Sequence, residues 1–222
     1  MKSNAALKTN ALPAADVGDT ATRFLDAAEI LFSEHGYVKT SLRAIAQRAD
    51  INHALINYHF KNKSGLYRAV FKRRGGTMMQ ERTALLAAAK AAAGRGPIPL
   101  RDVIYAFVYP PLRMANDDGP GGRAFVKLQA RLHTEPKELE HTLRARLYDE
   151  VTLKFVAELQ RSAPHLSHAS ICWRLTFVMG VYIYVSSDTG RIELISKGRC
   201  RGTNLKQALP EILDFCERGF SA

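Results

Sequence analysis

Three cysteines in 222 residues, at positions 172, 200 and 216, lie too far apart for a disulfide framework and form no Cys-x-x-Cys or Cys/His metal spacing. That scarcity predicts reduced thiols and a cytoplasmic protein. Long apolar runs are missing too: nowhere do roughly 18 apolar residues follow one another uninterrupted, so no membrane span is expected. The opening MKSNAALKTNALPAADVGD lacks the apolar centre of a signal peptide. Catalytic signatures are absent as well, with no phosphate-binding glycine loop, no H-E-x-x-H and no G-x-S-x-G. His165 and His168 have a metal-like spacing, yet they flank a Pro-containing helix boundary with no third ligand nearby. No metal or other cofactor is therefore expected, and a small helical enzyme is the weakest of the function classes considered.

Acidic residues are scarce in one window. From Lys39 to Arg74 nine basic residues (39, 43, 48, 61, 63, 68, 72, 73 and 74) face a single acid, Asp50, in a chain of net charge +11. Such a cluster is the electrostatic footprint of a polyanion partner. By the totals alone the partner could be DNA, RNA, an anionic membrane or an acidic protein.

Apolar periodicity reads as helix throughout. Residues 1–19 have no period and are expected to form a flexible arm whose Lys2 and Lys8 lie free. Thr20 or Thr22 opens a first helix with Phe24, Ala28, Leu31 and Phe32 on one face, and Gly36 stops it. Ser41 caps a second helix carrying Leu42, Ile45, Ala46 and Ala49, Asp50 makes the turn, and Asn52 caps a third carrying Leu55, Ile56 and Tyr58. Two short helices joined this tightly, after a third, make a helix-turn-helix. Asn62 or Ser64 opens a fourth helix that runs towards Ala93 with a kink expected at Gly75-Gly76. Beyond it lie a helix between Pro97 and Asn116, a loop over 116–122, helices over 122–133, 136–162 and 167–187, and an amphipathic last helix from Leu205 to Phe220.

With that pattern in place, residues 22–74, TRFLDAAEILFSEHGYVKTSLRAIAQRADINHALINYHFKNKSGLYRAVFKRR, resemble the TetR-family DNA-binding domain. The helix end ending in G-Y, the T-S-x-x-x-I-A start and the Y-H-F-x-x-K-x-x-L junction carry the likeness. A looser similarity, through RLHTEPKELEHTLRARLYDEVTLKFVAELQRSAPHL and CWRLTFVMG, points to the PsrA-like branch that responds to fatty acids and acyl-CoA. Three departures stand out: Asp50 in place of the usual turn glycine, Gly65 where glutamate would complete a capping box, and the pair Gly75-Gly76. Gly65 predicts a fraying start to the fourth helix.

The resemblance implies an all-α homodimer. Its parts are a helix-turn-helix DNA-binding domain over 20–74 and a ligand-binding and dimerisation domain over 75–222. Side-chain chemistry nominates His53, Ala54, Leu55 and Asn57 as base readers, since an amide pairs with adenine and a methyl meets thymine. Thr40, Ser41, Arg43, Tyr58, His59 and Lys63 are nominated for phosphates, by helix N-terminus or by polar tip. For the effector, Tyr105, Tyr109, Phe125, Trp173, Phe177 and Tyr182 supply apolar surface, with Arg113 and Arg131 for an anionic head; aromatic residues of this kind line cores as well as pockets. Leu175, Val178, Val185, Leu209, Ile212, Leu213 and Phe220 form the expected dimer stripe. The expected partners are thus double-stranded operator DNA, a small apolar or acyl effector and a second copy of the chain. An aromatic-acid or drug-like effector, and a constitutive architectural DNA binder, are the remaining alternatives.

Overall fold

The computed structural model describes residues 14–187, 189–202 and 204–221, with side chains from Gly18 onward, and among these every regular element is helical. Helix α1 (Ala14–Lys39) begins six residues ahead of Thr20, so the C-terminal part of the expected arm is helix; residues 1–13, with Lys2 and Lys8, lie outside the described residues. Gly36 adopts φ 76° and ψ 174°, a left-handed φ that suits glycine, and breaks α1 near its end. Ser41 then accepts the Ala44 N–H and caps α2 (Leu42–Ala49). Asp50 closes that helix in the left-handed conformation at φ 54°, where a short polar side chain is tolerated better than most. Arg23 reaches over from α1 to donate to the Ala49 and Asp50 carbonyls, satisfying the C-terminal end of α2.

The Asn52 side chain accepts the Ala54 N–H at the start of α3 (Ala54–Phe60), and Asn62 accepts the Gly65 N–H at the start of α4 (Lys63–Ala93). Two expectations about α4 require correction. Gly65 is no weak point, because a Cβ there would lie 2.0 Å from the Phe60 carbonyl oxygen; glycine is what lets the third and fourth helices meet so closely. Nor does Gly75-Gly76 kink the helix, which runs unbroken through both. Gly75 instead admits Leu147 and Tyr148 against the backbone.

Helices α5 (Leu100–Asp117) and α6 (Gly119–Arg131) follow, separated by Asp118 rather than by the loop expected over 116–122. A Cβ at Gly122 would stand 2.3 Å from the Met114 carbonyl oxygen, so the glycines there permit a tight helix-to-helix turn. The single helix expected over 136–162 is divided into α7 (Lys137–Leu143), a π-helical segment (Arg144–Tyr148) and α8 (Asp149–Ser162). Helix α9 (His168–Ser186) starts at Ser167, which accepts the Ser170 N–H. The chain ends with α10 (Arg191–Ile195) and α11 (Leu205–Ser221).

Two apolar clusters hold these helices. The first joins Phe24, Phe32, Ile45, Ile56 and Tyr67 of the head to Phe125 of α6, with Phe71 edge-on to Phe125 at 5.4 Å. The second gathers α5, α8, α9 and α11 around Phe107 and Phe155, with Leu86 of α4. Because α4 contributes to both, a boundary between 74 and 75 falls inside a continuous helix. Helix α9 is long and apolar enough to cross a membrane by length and composition. Its Ile171, Leu175, Val178 and Tyr182 are nonetheless buried in the second cluster.

Candidate DNA-binding face, effector region and dimer face

Helix α3 is anchored by one buried residue, Ile56, so the opposite face is free. His53, Ala54 and Asn57 are exposed on it and Tyr58 projects at 75% exposure. Leu55 departs from its nomination: it is half-buried, packed against the first cluster, and is not part of the fully exposed face.

The phosphate nominees divide in the same way. Ser41 and Arg43 are exposed at the start of α2. Thr40 is 3% exposed and its hydroxyl donates to the Gly36 carbonyl at 2.7 Å and the Leu31 carbonyl at 3.1 Å, so its side chain closes α1 instead of meeting solvent. His59 is half-buried, its ring tilted against Phe24 and Phe60. The Lys63 ammonium donates to the Val38 carbonyl at 3.1 Å and sits 4.6 Å above the Tyr37 ring. Partial burial lowers its pKa, opposed by Glu135. An ammonium has three donors, so one further acceptor can still be served.

The basic window is also partly spent internally. Arg73 and Arg74 both bind the buried carboxylate of Glu29, and Arg73 adds Asp26 at 2.9 Å. Both acids lie on α1, outside the window counted in the sequence. Exposed Lys39, Arg48, Lys61, Arg68 and Lys72 remain in addition to Arg43; of these Arg48 and Lys61, flanking the turn and α3, were not nominated as contacts from the sequence.

The eight effector nominees do not converge on one cavity. Tyr105 and Tyr109 stack on each other at 4.9 Å. Phe125 is core, and Arg113 is committed to Glu81 and Asp118. That double pairing raises the Arg113 pKa, through the Glu81 hydrogen bond first. Arg131 donates to the Ser33 and Glu34 carbonyls, which ties the end of α1 to α6. Trp173 and Phe177 stack together on the outside of α9, 64% and 60% exposed. Tyr182 alone among the eight borders a small, partly enclosed cavity of about 130 Å³, shared with Arg82, Gln129, Tyr148, Met179 and Ile183 and rimmed by exposed Arg144 and Asp149.

The dimer nominees divide by their exposure in the single chain. Leu175, Val178, Ile212, Leu213 and Phe220 are 1–7% exposed, buried where α9 and α11 pack on each other and on α5. Val185 and Leu209 are half-buried. The outward apolar stripe is Trp173, Phe177 and Tyr184 of α9 with Phe215 of α11, beside a groove of about 920 Å³ floored in part by Val178 and Phe220. Helix α9 is apolar all round, so its periodicity could not say which stripe would be the inner one.

Comparison with known proteins agrees with this architecture. The family described as "Bacterial regulatory proteins, tetR family" matches residues 24–70, and "Tetracyclin repressor-like, C-terminal domain" matches residues 105–219. The regulator YttP of Bacillus subtilis is 45% identical over 47 residues, which cover 21% of this chain and only 23% of YttP. The regulator BetI of Paraburkholderia phymatum is 25% identical over 142 residues, covering 63% of this chain and 69% of BetI. A TetR-like transcriptional regulator from Rhodococcus sp. RHA1 shares the fold with a TM-score of 0.66 at 17% identity, over 96% of this chain and 100% of that one. The matching families are helix-turn-helix transcriptional regulators and not enzymes, which removes the enzymatic alternative. With its head and more than half of its length matched, the chain belongs to the TetR family of DNA-binding transcriptional regulators.

Proposed function

We propose that the protein is a homodimeric repressor that binds a pseudo-palindromic operator and leaves it when a small apolar anion occupies the C-terminal helices. The observation that carries this reading is the outward face of α3, where His53, Ala54, Asn57 and Tyr58 stand free on a head flanked by exposed Arg43, Arg48 and Lys61. His53, Ala54 and Asn57 read base edges in the major groove; Ser41, Arg43, Tyr58 and Lys63 position the head on phosphates. Thr40 contributes through its backbone N–H and His59 through the edge of its ring. Two heads are brought together by the outer stripe of Trp173, Phe177, Tyr184 and Phe215, whose exposure in one chain suits a two-fold, self-complementary interface.

For the effector, an acyl compound and an aromatic acid are the two candidates. The partly enclosed cavity of about 130 Å³ is smaller than the roughly 300 Å³ at which ligand pockets begin, which favours a short or aromatic acid over a long acyl chain. Effector binding releases DNA only if the effector prefers the released form, and DNA then weakens effector binding by the same factor.

Selection of bound duplexes from a random pool tests the DNA reading. Enrichment of a two-fold site with half-sites about one helical turn or somewhat more apart is the expected outcome. Binding at moderate salt that discriminates no duplex from random competitor would refute it and leave the architectural alternative.

A further inference from the structure

Arg82 is the unusual residue of the second half of the chain. It lies on α4 at 2% exposure, yet among the described residues no carboxylate pairs with it. Its Nε donates to the Phe107 carbonyl at 2.8 Å, while Nη2 is buried without a hydrogen-bond partner. The guanidinium is held flat by aromatic rings, 3.8 Å from the Phe107 centroid and 5.4 Å from that of Tyr182. Burying a cation without a counter-charge is costly, and such groups normally find an anion. By contrast Arg113 on α5 is paired with Glu81 and Asp118, and Arg144 of the π-helical segment, which also lines this cavity, is paired with Glu140.

The same cavity holds two further orphans. Gln129 Oε1 from α6 and the Tyr148 hydroxyl from the π-helical segment are buried and unpartnered, and both residues line the space that Arg82 borders. Burial, with the Tyr182 hydroxyl adding to it, holds the Tyr148 phenol above its usual range, against smaller opposing effects of the Arg82 charge and of the Gln129 amide, which approaches the hydroxyl without completing a hydrogen bond of normal geometry. It therefore stays protonated and able to donate. An amide can turn to present either its oxygen or its NH₂ group. Three unsatisfied groups from three elements, a planar cation, a hydroxyl donor and an amide, thus face one space whose other side is Met179, Ile183 and Leu132. The one acid on the lining, Asp149, is exposed at the rim, where solvent screens it.

We propose that this cavity is a receptor for a monocarboxylate, with Arg82 and Tyr148 gripping the carboxylate, Gln129 completing its hydrogen bonds, and the Met179 and Ile183 side taking the apolar body. The π-helical segment is what delivers Tyr148, since one wide turn offsets the register between α7 and α8. A cationic effector is disfavoured by the unpaired guanidinium. The proposal rests on the effector-responsive reading above and names its head-group site.

Benzoate and octanoate, with benzamide, octanol and benzylamine as uncharged or cationic counterparts, are the probes. They are titrated calorimetrically into the full chain without DNA, and thermal shifts are recorded in parallel. Benzoate or octanoate should bind while its counterparts do not, and Arg82→Gln should weaken that binding on the order of tenfold to hundredfold, as loss of a charge-assisted contact does. Arg82→Gln also removes the bond to the Phe107 carbonyl and can unsettle the fold, so Tyr148→Phe is the decisive variant. Removing an orphaned hydroxyl should leave the unliganded melting temperature unchanged or higher while weakening carboxylate binding several-fold; a merely structural hydroxyl would not move affinity. If neither acid outbinds its neutral counterpart, or if both variants bind it as the parent does, the orphans are served by water alone and the site is refuted. Selection of an operator with no carboxylate binding would remove this site and keep the regulator; carboxylate binding with no selected duplex would do the reverse.

Discussion

Replacing Gly75 with alanine should destabilise the protein, and the same change at its neighbour Gly76 should stabilise it. Both lie inside α4, where alanine gains about 1 kcal/mol over glycine in helix propensity. At Gly76 nothing stands within 4 Å of a new Cβ, so that gain is kept, and for a chain of this size it raises the melting temperature by about 2–4 °C. At Gly75 the Cβ would lie 2.7 Å from Leu147 Cδ2, 3.0 Å from the Tyr148 hydroxyl and 3.4 Å from Phe125 Cζ. Leu147 can rotate aside, but Tyr148 and Phe125 are buried, and overpacking a filled site costs about 1–3 kcal/mol. The steric cost equals or exceeds the propensity gain, for a net loss of about 0–2 kcal/mol. Gly65 sets the far end of the series: its Cβ would meet a backbone carbonyl at 2.0 Å, which no rotamer can relieve, so Gly65→Ala should lose about 3 kcal/mol or more. Thermal or urea unfolding of the three variants at one fixed protein concentration measures the order, since dimerisation makes the midpoint concentration-dependent. A Gly75→Ala protein as stabilised as Gly76→Ala would show that the π-helical segment does not press on α4 as described.

Asn57→Ala should relax preference at a single base position with modest loss of affinity, whereas Lys63→Ala should weaken binding to all duplexes, lower the salt slope by about one unit and also lower stability through the lost bond to Val38. Unchanged affinity and slope in Lys63→Ala, from titrations at several salt concentrations, would remove Lys63 from the docking face. Phe177→Asp should give a folded monomer by sedimentation because the residue is 60% exposed in the single chain; Leu175→Asp, at 3% exposure, should unfold it. A dimeric Phe177→Asp protein would place the interface elsewhere. Burial pushes the Cys216 thiol up to about 11, so it stays un-ionised near pH 8, while Cys172 is exposed. A chromogenic disulfide reagent should therefore modify Cys172 in the native protein and reach Cys216 only on unfolding; comparable native rates would contradict the packing of α11 on α9.

Local chemistry in the chain settled the helical class and most of the head. Ser41, Asp50, Asn52, Asn62 and Ser167 occupy cap and turn positions because each choice is made within a few residues, by a side-chain oxygen and the nearest orphaned N–H or by a tolerated left-handed φ. Whatever depended on which helix comes to lie against which was decided only by the tertiary structure. The charge window could not reveal that Glu29 and Asp26 on α1 neutralise Arg73 and Arg74. The apolar circumference of α9 could not say that Trp173 and Phe177 would face out and Leu175 in. A lone arginine among Met78, Met79 and Leu86 gave no sign of the two orphaned groups that α6 and the π-helical segment bring to it. Periodicity specifies a helix and its stripes, whereas burial, pairing and cavities arise between helices distant in sequence, where packing at native density decides which stripe is covered.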